Sequence, residues 1–255
     1  MFSEKTRDQI FHKILLVNDI SINSWEEVSK EISLLPRGWF ELAHLSREDR
    51  ILFTREFWLL RLGDEISSVD VLEKLNIFFD NMEDISIYAI QHLENQGYEV
   101  RMVYSMRHAG FFFQGGPPAF SLSIEQLNQK FDNIFPKDYL AFMGIHDGFG
   151  NCEDVGIIPT KEMAKSYQKF QQFLSLGERK YNGISLDKIG LIPFYESVDL
   201  YSYQCFSMNN ILANGGMANI NFSSTDFESN EKGYTRKSCK FLSFLSWFVS
   251  YIEQE

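Results

Sequence analysis

Apolar residues recur at spacings of three and four through the first third of the chain, the period of a helix with one buried face. Across residues 4–17 that face is Ile10, Phe11, Ile14 and Leu15, which predicts a helix there. Ser24-Trp25-Glu26-Glu27 reads as a capping box, with Ser24 accepting from an early helical N–H and Glu27 reaching back. Trp25, Val28, Ile32 and Leu35 then share a face until Pro36 and Gly38 stop the helix. Ser46-Arg47-Glu48-Asp49 opens another helix, carrying Ile51, Phe57, Trp58 and Leu62 and closed by Gly63. Ser67 or Ser68 opens a fourth, with Leu72, Leu75, Phe78, Phe79 and Met82.

The period then shortens to two. Ile85, Ile87, Ala89 and Gln91 alternate with Ser86, Tyr88, Ile90 and His92. Gln96-Gly97 turns the chain, Tyr98 to Met106 forms a second run, and Ala109-Gly110 precedes Phe111-Phe112-Phe113. This is the pattern of a small antiparallel meander. Gly115-Gly116-Pro117-Pro118 is the linker candidate.

Beyond it, Ser123-Ile124-Glu125-Gln126 reads as a further capping box, with Ile124, Leu127, Phe131 and Ile134 buried. Pro136 begins an abutting helix, since proline suits the first helical position. Residues 161–176 predict a helix built on Met163, Tyr167, Phe170 and Leu174. Strands are expected at 190–195, 198–207 and 217–222, with turns at Asn209-Asn210 and Gly215-Gly216 and a polar loop at 224–236. The chain ends in an amphipathic helix, Ser243 to Glu255, with Phe244, Leu245, Phe248, Tyr251 and Ile252 on its apolar side. No fixed-period repeat occurs. Helices first, strands later and no regular βαβ alternation predict an α+β fold. Two units are expected, a helical region plus meander over 1–114 and an α+β domain over 119–255.

Composition narrows the functional classes. The 255 residues are 44% apolar and 15% aromatic, enough for a well-filled core without staples. Formal net charge is −11, spread as −7 over 1–114 and −4 over 115–255. No basic stripe offers to neutralise phosphates, so nucleic-acid binding is not expected. An acidic surface keeps a protein soluble and also steers a basic protein partner. Cys152, Cys205 and Cys239 are widely spaced and form neither a disulfide framework nor a zinc ribbon, which predicts a reducing cytoplasm. No signal peptide or transmembrane segment is expected. Asn221 to Ser223 matches a glycosylation acceptor, a chance match in such a compartment.

Candidate chemistry centres on "FPKDYLAFMGIHDGFG", residues 135–150. His146 and Asp147 invite reading as a catalytic pair. Adjacent residues on a helix point about 100° apart, however, so they cannot orient one another. A histidine at a helix end is favoured by the helix dipole. Asp147 to Asp154 resembles a calcium loop but places Phe149 where an oxygen ligand is needed. Gly148-x-Gly150 lacks a dinucleotide fingerprint, and Gly115-Gly116 lacks a phosphate-loop lysine. His12, His44, His92, His108 and His146 never fall in metal-ligand spacing. Glu153 and Asp154 beside Cys152 disfavour a reactive thiolate. The binding candidates are therefore Tyr201 and Tyr203, on one face of a strand, with an acidic rim of Asp147, Glu153 and Asp154. The alternative for the two tyrosines is packing under the neighbouring helix.

The run Phe135-Pro136-x-Asp138-Tyr139-Leu140-x-Phe142, followed by the turn at Asp147-Gly148, resembles the SUKH superfamily. Those domains carry a leucine-proline, two residues, a tyrosine and an apolar helix ending in asparagine-glycine. Here Phe135 stands for the leucine and Asp147 for the asparagine, changes that keep an apolar anchor and a turn former. Gly156-Ile157-Ile158-Pro159, Leu191-Ile192-Pro193-Phe194 and the aromatic helix 243–253 fall where the family has a short strand, a strand start and a closing helix. The likeness covers residues 119–255. Leu35-Pro36-x-Gly38-Trp39-Phe40-Glu41-Leu42 looks like an extension found with such domains in some obligate intracellular bacteria. The resemblance implies one sheet packed with helices and a non-enzymatic recognition domain that needs no cofactor or metal. Family members include fungal regulators of cell-wall synthesis and immunity proteins that neutralise secreted bacterial toxins. The expected function is thus binding of a basic protein partner, toxin-neutralising or regulatory. A hydrolase with a site between the two halves, or an assembly role for the N-terminal aromatic helices, stands as the alternative.

Overall fold

The computed structural model describes residues 11–19, 24–66, 68–92, 97–107, 111–152, 154–175, 180–181, 184–185, 190–197, 202–211, 217–223 and 240–253. Among these residues the fold is α+β, with eight α-helices and two five-stranded antiparallel sheets. The first sheet runs β1 (Phe11–Leu16), β2 (Met82–His92), β3 (Tyr98–Met106), β4 (Phe112–Gly115) and β5 (Phe149–Asn151), in that order. The alternation read in the sequence sets its buried face. Ile85, Ile87 and Ala89 are buried and pair across the ladder with Tyr104, Met102 and Val100.

Strand β1 replaces part of the helix predicted over 4–17, the rest of which lies outside the described residues. A run as short as Phe-His-Lys-Ile-Leu-Leu satisfies either period. The open edge of β2 supplies backbone partners from Lys13 opposite Gln91 to Leu16 opposite Tyr88. A short isolated helix has no comparable source of stability.

Four helices precede β2: α1 (Trp25–Glu31), α2 (Arg37–Ala43), α3 (Arg47–Leu62) and α4 (Val69–Asp80). Ser46 Oγ accepts from Asp49 N at 3.2 Å and Ser68 Oγ from Val71 N at 3.3 Å, so two of the predicted N-caps form. Ser24 caps α1 through its carbonyl alone, with no side-chain bond. Pro36 does not stop α1, which ends at Glu31; it is the N-cap of α2, with φ −66° and ψ 139°. Its locked φ suits the threshold of a helix as well as a stop.

The second half contributes α5 (Ser121–Lys130), α6 (Lys137–Met143), β6 (Gly156–Ile157), α7 (Thr160–Ser175), a hairpin of β7 (Lys180–Tyr181) and β8 (Ile184–Ser185), β9 (Leu191–Glu196), β10 (Ser202–Ile211), β11 (Met217–Ser223), β12 (Lys240–Phe241) and α8 (Phe244–Glu253). α5 begins before the predicted capping box and has no side-chain cap. The second sheet is ordered β12, β11, β10, β9, β6. Asn209-Asn210, expected as a turn, continues β10, while the polar loop at 224–236 lies outside the described residues. α8 buries Phe244, Leu245, Trp247, Phe248, Val249, Tyr251 and Ile252. A helix apolar almost all round belongs inside, and α8 packs against α4, α6 and β11.

The boundary predicted at 115–118 does not separate the sheets. β5, from the second half, is the fifth strand of the first sheet, with Phe113 opposite Asn151 and Gly115 opposite Phe149. One hydrophobic core crosses the boundary. Trp58 of α3 is fully buried, with its ring centroid 5.7 Å from Phe142, 5.8 Å from Phe149 and 5.9 Å from Phe248. Gly115 and Gly116 are buried rather than exposed. Gly116 N donates to Gly148 O at 2.9 Å, Ala119 N to Met143 O at 2.9 Å and Asp147 N to Pro117 O at 3.0 Å. The glycine-proline run is thus laced to the turn after α6.

Candidate functional site

That turn is where the sequence placed its candidate chemistry. His146 follows the end of α6 and turns its ring into the core, leaving the residue 1% exposed. Its Nδ1 lies 2.8 Å from the carbonyl oxygen of Gly116, which can only accept, so Nδ1 carries the proton. Its Nε2 then accepts from the Tyr104 hydroxyl at 2.5 Å. Trp39, Trp58 and Phe149 surround the ring at centroid distances of 5.7, 5.7 and 5.6 Å. Burial pushes the imidazole pKa down to about 4; the Gly116 carbonyl acts against this, and nearby Arg101 adds to it. Burial also raises the Tyr104 phenol well above its ordinary value. His146 is therefore neutral near pH 7 with both nitrogens engaged. The expectation that a charged histidine stabilises the helix end by its dipole fails, because the ring is buried instead of exposed at the terminus.

The approach is close enough to specify a glycine. A Cβ built on Gly115 would stand 2.3 Å from His146 Nδ1 and 2.5 Å from its Cγ. The imidazole occupies the space of the missing side chain.

Of the five predicted binding residues, three are described, and each has a structural partner. Asp147 accepts from Thr160 N at 2.6 Å and from Thr160 Oγ1 at 2.8 Å, anchoring the first residue of α7. Asp154 accepts from the Tyr195 hydroxyl, from Ser197 Oγ at 3.2 Å and from the Tyr251 hydroxyl at 3.3 Å. Burial, then Tyr251 and Asp154, raise the Tyr195 phenol far above its ordinary value. Tyr203 lies with its ring 5.0 Å from Phe170 of α7, the packing alternative left open by the sequence. Its hydroxyl donates to Glu196 Oε1 at 3.4 Å, and burial, followed by Glu196, lifts its pKa to about 12. Asp154 and Tyr203 meet β9 at Tyr195 and Glu196, consecutive residues that point to opposite faces. Glu153 and Tyr201 lie outside the described residues.

The family-motif residues are mostly core. Phe135, Tyr139, Phe142 and Pro193 are buried, Leu140 is half-buried, and Pro136 is the N-cap of α6. Gly148 turns with φ +91°. Tyr139 reaches Phe135 at 5.4 Å, Phe206 at 5.1 Å and Phe244 at 5.3 Å. Asp138 was named in the run but given no role by the sequence. It is 6% exposed and accepts from Leu245 N at 3.0 Å, capping α8 from α6. Burial raises its pKa, against the pull of the Leu245 and Tyr139 amides.

The larger omission is a surface on α3. Phe57, expected on the buried face, is 37% exposed, with Phe53 53% and Leu60 81% exposed beside it. At i, i+4 and i+7 these three form one outward stripe. Next to it, between α2 and α3, opens a cavity of about 510 Å³ whose wall includes Trp39, Leu42, Phe53, Phe57 and Trp58. The signal was present in the sequence: α3 carries more large apolar residues than one buried face requires.

Among the described residues, no group of three or more His, Cys, Asp or Glu side chains is arranged to hold a metal ion, and no helix is long and apolar enough to cross a membrane. No protein-family model matches the chain, and no curated protein matches it in sequence.

Proposed function

We propose that this protein is a recognition module that binds a basic protein partner through the outer face of α3, in a toxin-neutralising or regulatory role in the cytoplasm. The observation that carries this reading is the stripe of Phe53, Phe57 and Leu60. Single exposed apolar residues are ordinary, whereas a contiguous large apolar ridge marks an interaction surface. Asp49 and Glu56, exposed on the same helix, flank one side of the stripe. A net charge of −11 adds long-range attraction for a basic partner and repels acidic ones. The resemblance to SUKH domains, which act by recognition, points the same way. Asp147, Asp154 and Tyr203 then serve the scaffold, and the binding surface moves to the N-terminal helices.

A photo-crosslinking side chain at Leu60, compared with one at exposed Leu122 on α5, tests this in the host cell. The protein captured only from Leu60 is purified, and its affinity for the wild type and for a Phe53→Ser, Leu60→Asp variant is measured. The expected partner is basic, with an on-rate that falls as salt rises and an affinity at least about tenfold weaker for the variant. Equal affinity for the variant overturns the reading.

A further inference from the structure

We propose that the outer face of the first sheet is a self-association surface, on which a second copy of this chain packs sheet to sheet. The inner face carries Ile85, Ile87, Met102 and Tyr104, all buried. By the period of two, the outer face carries Ile14 and Leu16 of β1, Tyr88 and Ile90 of β2, Val103 of β3 and Phe112 of β4. The register agrees, with Ile14 opposite Ile90 and Leu16 opposite Tyr88. Ile14 is 48% exposed and the other five are half-buried. Among the described residues, none of the six belongs to a hydrophobic core cluster or packs against one. An antiparallel sheet with one solvated face ordinarily alternates apolar inside with polar outside. Here apolar side chains occupy outer positions on four adjacent strands.

Charge points to the occupant. The chain carries −11 overall, yet the ionised groups of this face are paired off. Glu99 takes Arg101 on Oε1 and His92 Nε2 on Oε2, the latter at 2.9 Å. Asp84, at the start of β2, is held by Arg50 at 2.8 Å. A basic partner drawn to an acidic surface finds no net charge here. A two-fold interface sets a patch against itself and so needs one that does not repel its own copy. A neutral apolar face on an acidic chain meets that need. The size is sufficient. Nine residues of β3 at about 3.4 Å each, and five strands at about 4.8 Å spacing, give a footprint of about 600 Å² per copy. That is the lower end of specific interfaces, so the dimer should be dissociable. The inference is independent of the partner reading. Trp58 of α3 meets Tyr104 on the inner face at 5.7 Å, so α3 lies on the other side of the sheet and pairing leaves its stripe free.

Sedimentation velocity of the full chain from about 1 to about 200 µM tests this. The weight-average mass is expected to rise from monomer toward dimer, with a Kd of about 1–100 µM. Val103→Lys sets an ammonium group in the middle of the packed face and should weaken association at least about tenfold. Ile90→Ser adds no charge and should weaken it several-fold; it carries the test if thermal melts show that Val103→Lys does not fold. Leu60→Asp on the α3 stripe and Leu122→Asp on α5 should leave association unchanged. A chain that stays monomeric at the highest concentration overturns the proposal. So does association that survives the substitutions at Val103 and Ile90, or that is lost with Leu60→Asp, which would assign the contact to α3.

Discussion

Replacing Gly115 by alanine sets one methyl group against the imidazole of His146. The added Cβ would lie 2.3 Å from Nδ1, 2.5 Å from Cγ and 2.7 Å from Cε1. These are ring atoms held by two hydrogen bonds, not the free end of a flexible chain. Gly115 pairs with Met102 on one side and Phe149 on the other, so its backbone cannot retreat without breaking a ladder. The ring must move. Moving it strands the Gly116 carbonyl and the Tyr104 hydroxyl in a dry core, at about 1–3 kcal/mol for each unsatisfied group. Overpacking adds about 1–3 kcal/mol more. Alanine recovers about 0.5–1 kcal/mol of the conformational-entropy cost of a glycine in a strand. The net expectation is about 2–8 kcal/mol of destabilisation, a large part of a typical domain's total stability.

Urea unfolding gives the measurement, read as a lower midpoint at unchanged slope. A double-mutant cycle isolates the cause. His146→Ala is destabilising by itself, since it leaves a cavity and the same stranded groups. In that background the methyl group on residue 115 has room, so the second substitution should be nearly neutral. A coupling of about 2 kcal/mol or more is expected. A loss below about 1 kcal/mol for Gly115→Ala, or additivity within about 0.5 kcal/mol, would refute the argument that the imidazole dictates this glycine.

Two further outcomes follow from the same turn. The His146 pKa is about 4 in the folded chain against an ordinary 6.5, so as pH falls through this window the unfolded chain takes up the proton first. Stability contributed by the neutral ring is complete above pH 6.5 and falls by about 3 kcal/mol by pH 4. Asp138, whose pKa is raised, contributes in the opposite sense, so the test is the difference in pH slope between wild type and His146→Gln, measured by thermal melts; identical slopes refute it. Asp147→Ala removes both bonds to Thr160 and should destabilise by about 1–2 kcal/mol, as loss of a helix N-terminal cap does, while Asp147→Asn, which keeps an acceptor, should recover much of that loss in the same unfolding assay.

The elements readable in the sequence are those specified by neighbours along the chain. α3 and α4 announce themselves by a serine three residues before the amide it caps and by apolar residues at helical spacing. The meander shows in the strict alternation around Ile85 and Ile87. β1 is hidden because its type is decided by the edge of β2, some seventy residues on. Asp147 looked like part of an acidic rim for a similar reason: its charge is local information, but its partner, Thr160, is brought to it by the fold. The glycines carry the same ambiguity. A glycine in sequence signals either freedom of the backbone or the need for close approach, and nothing in Gly115-Gly116-Pro117-Pro118 tells the two apart. The fold chooses close approach, since the imidazole fills the space beside Gly115 and backbone bonds tie the run to residues 143–148. What reads as a break between two units is a seam that joins them. The histidine that looked most like chemistry is the group that closes it, and the binding surface proposed above lies elsewhere, on the outward apolar stripe of α3.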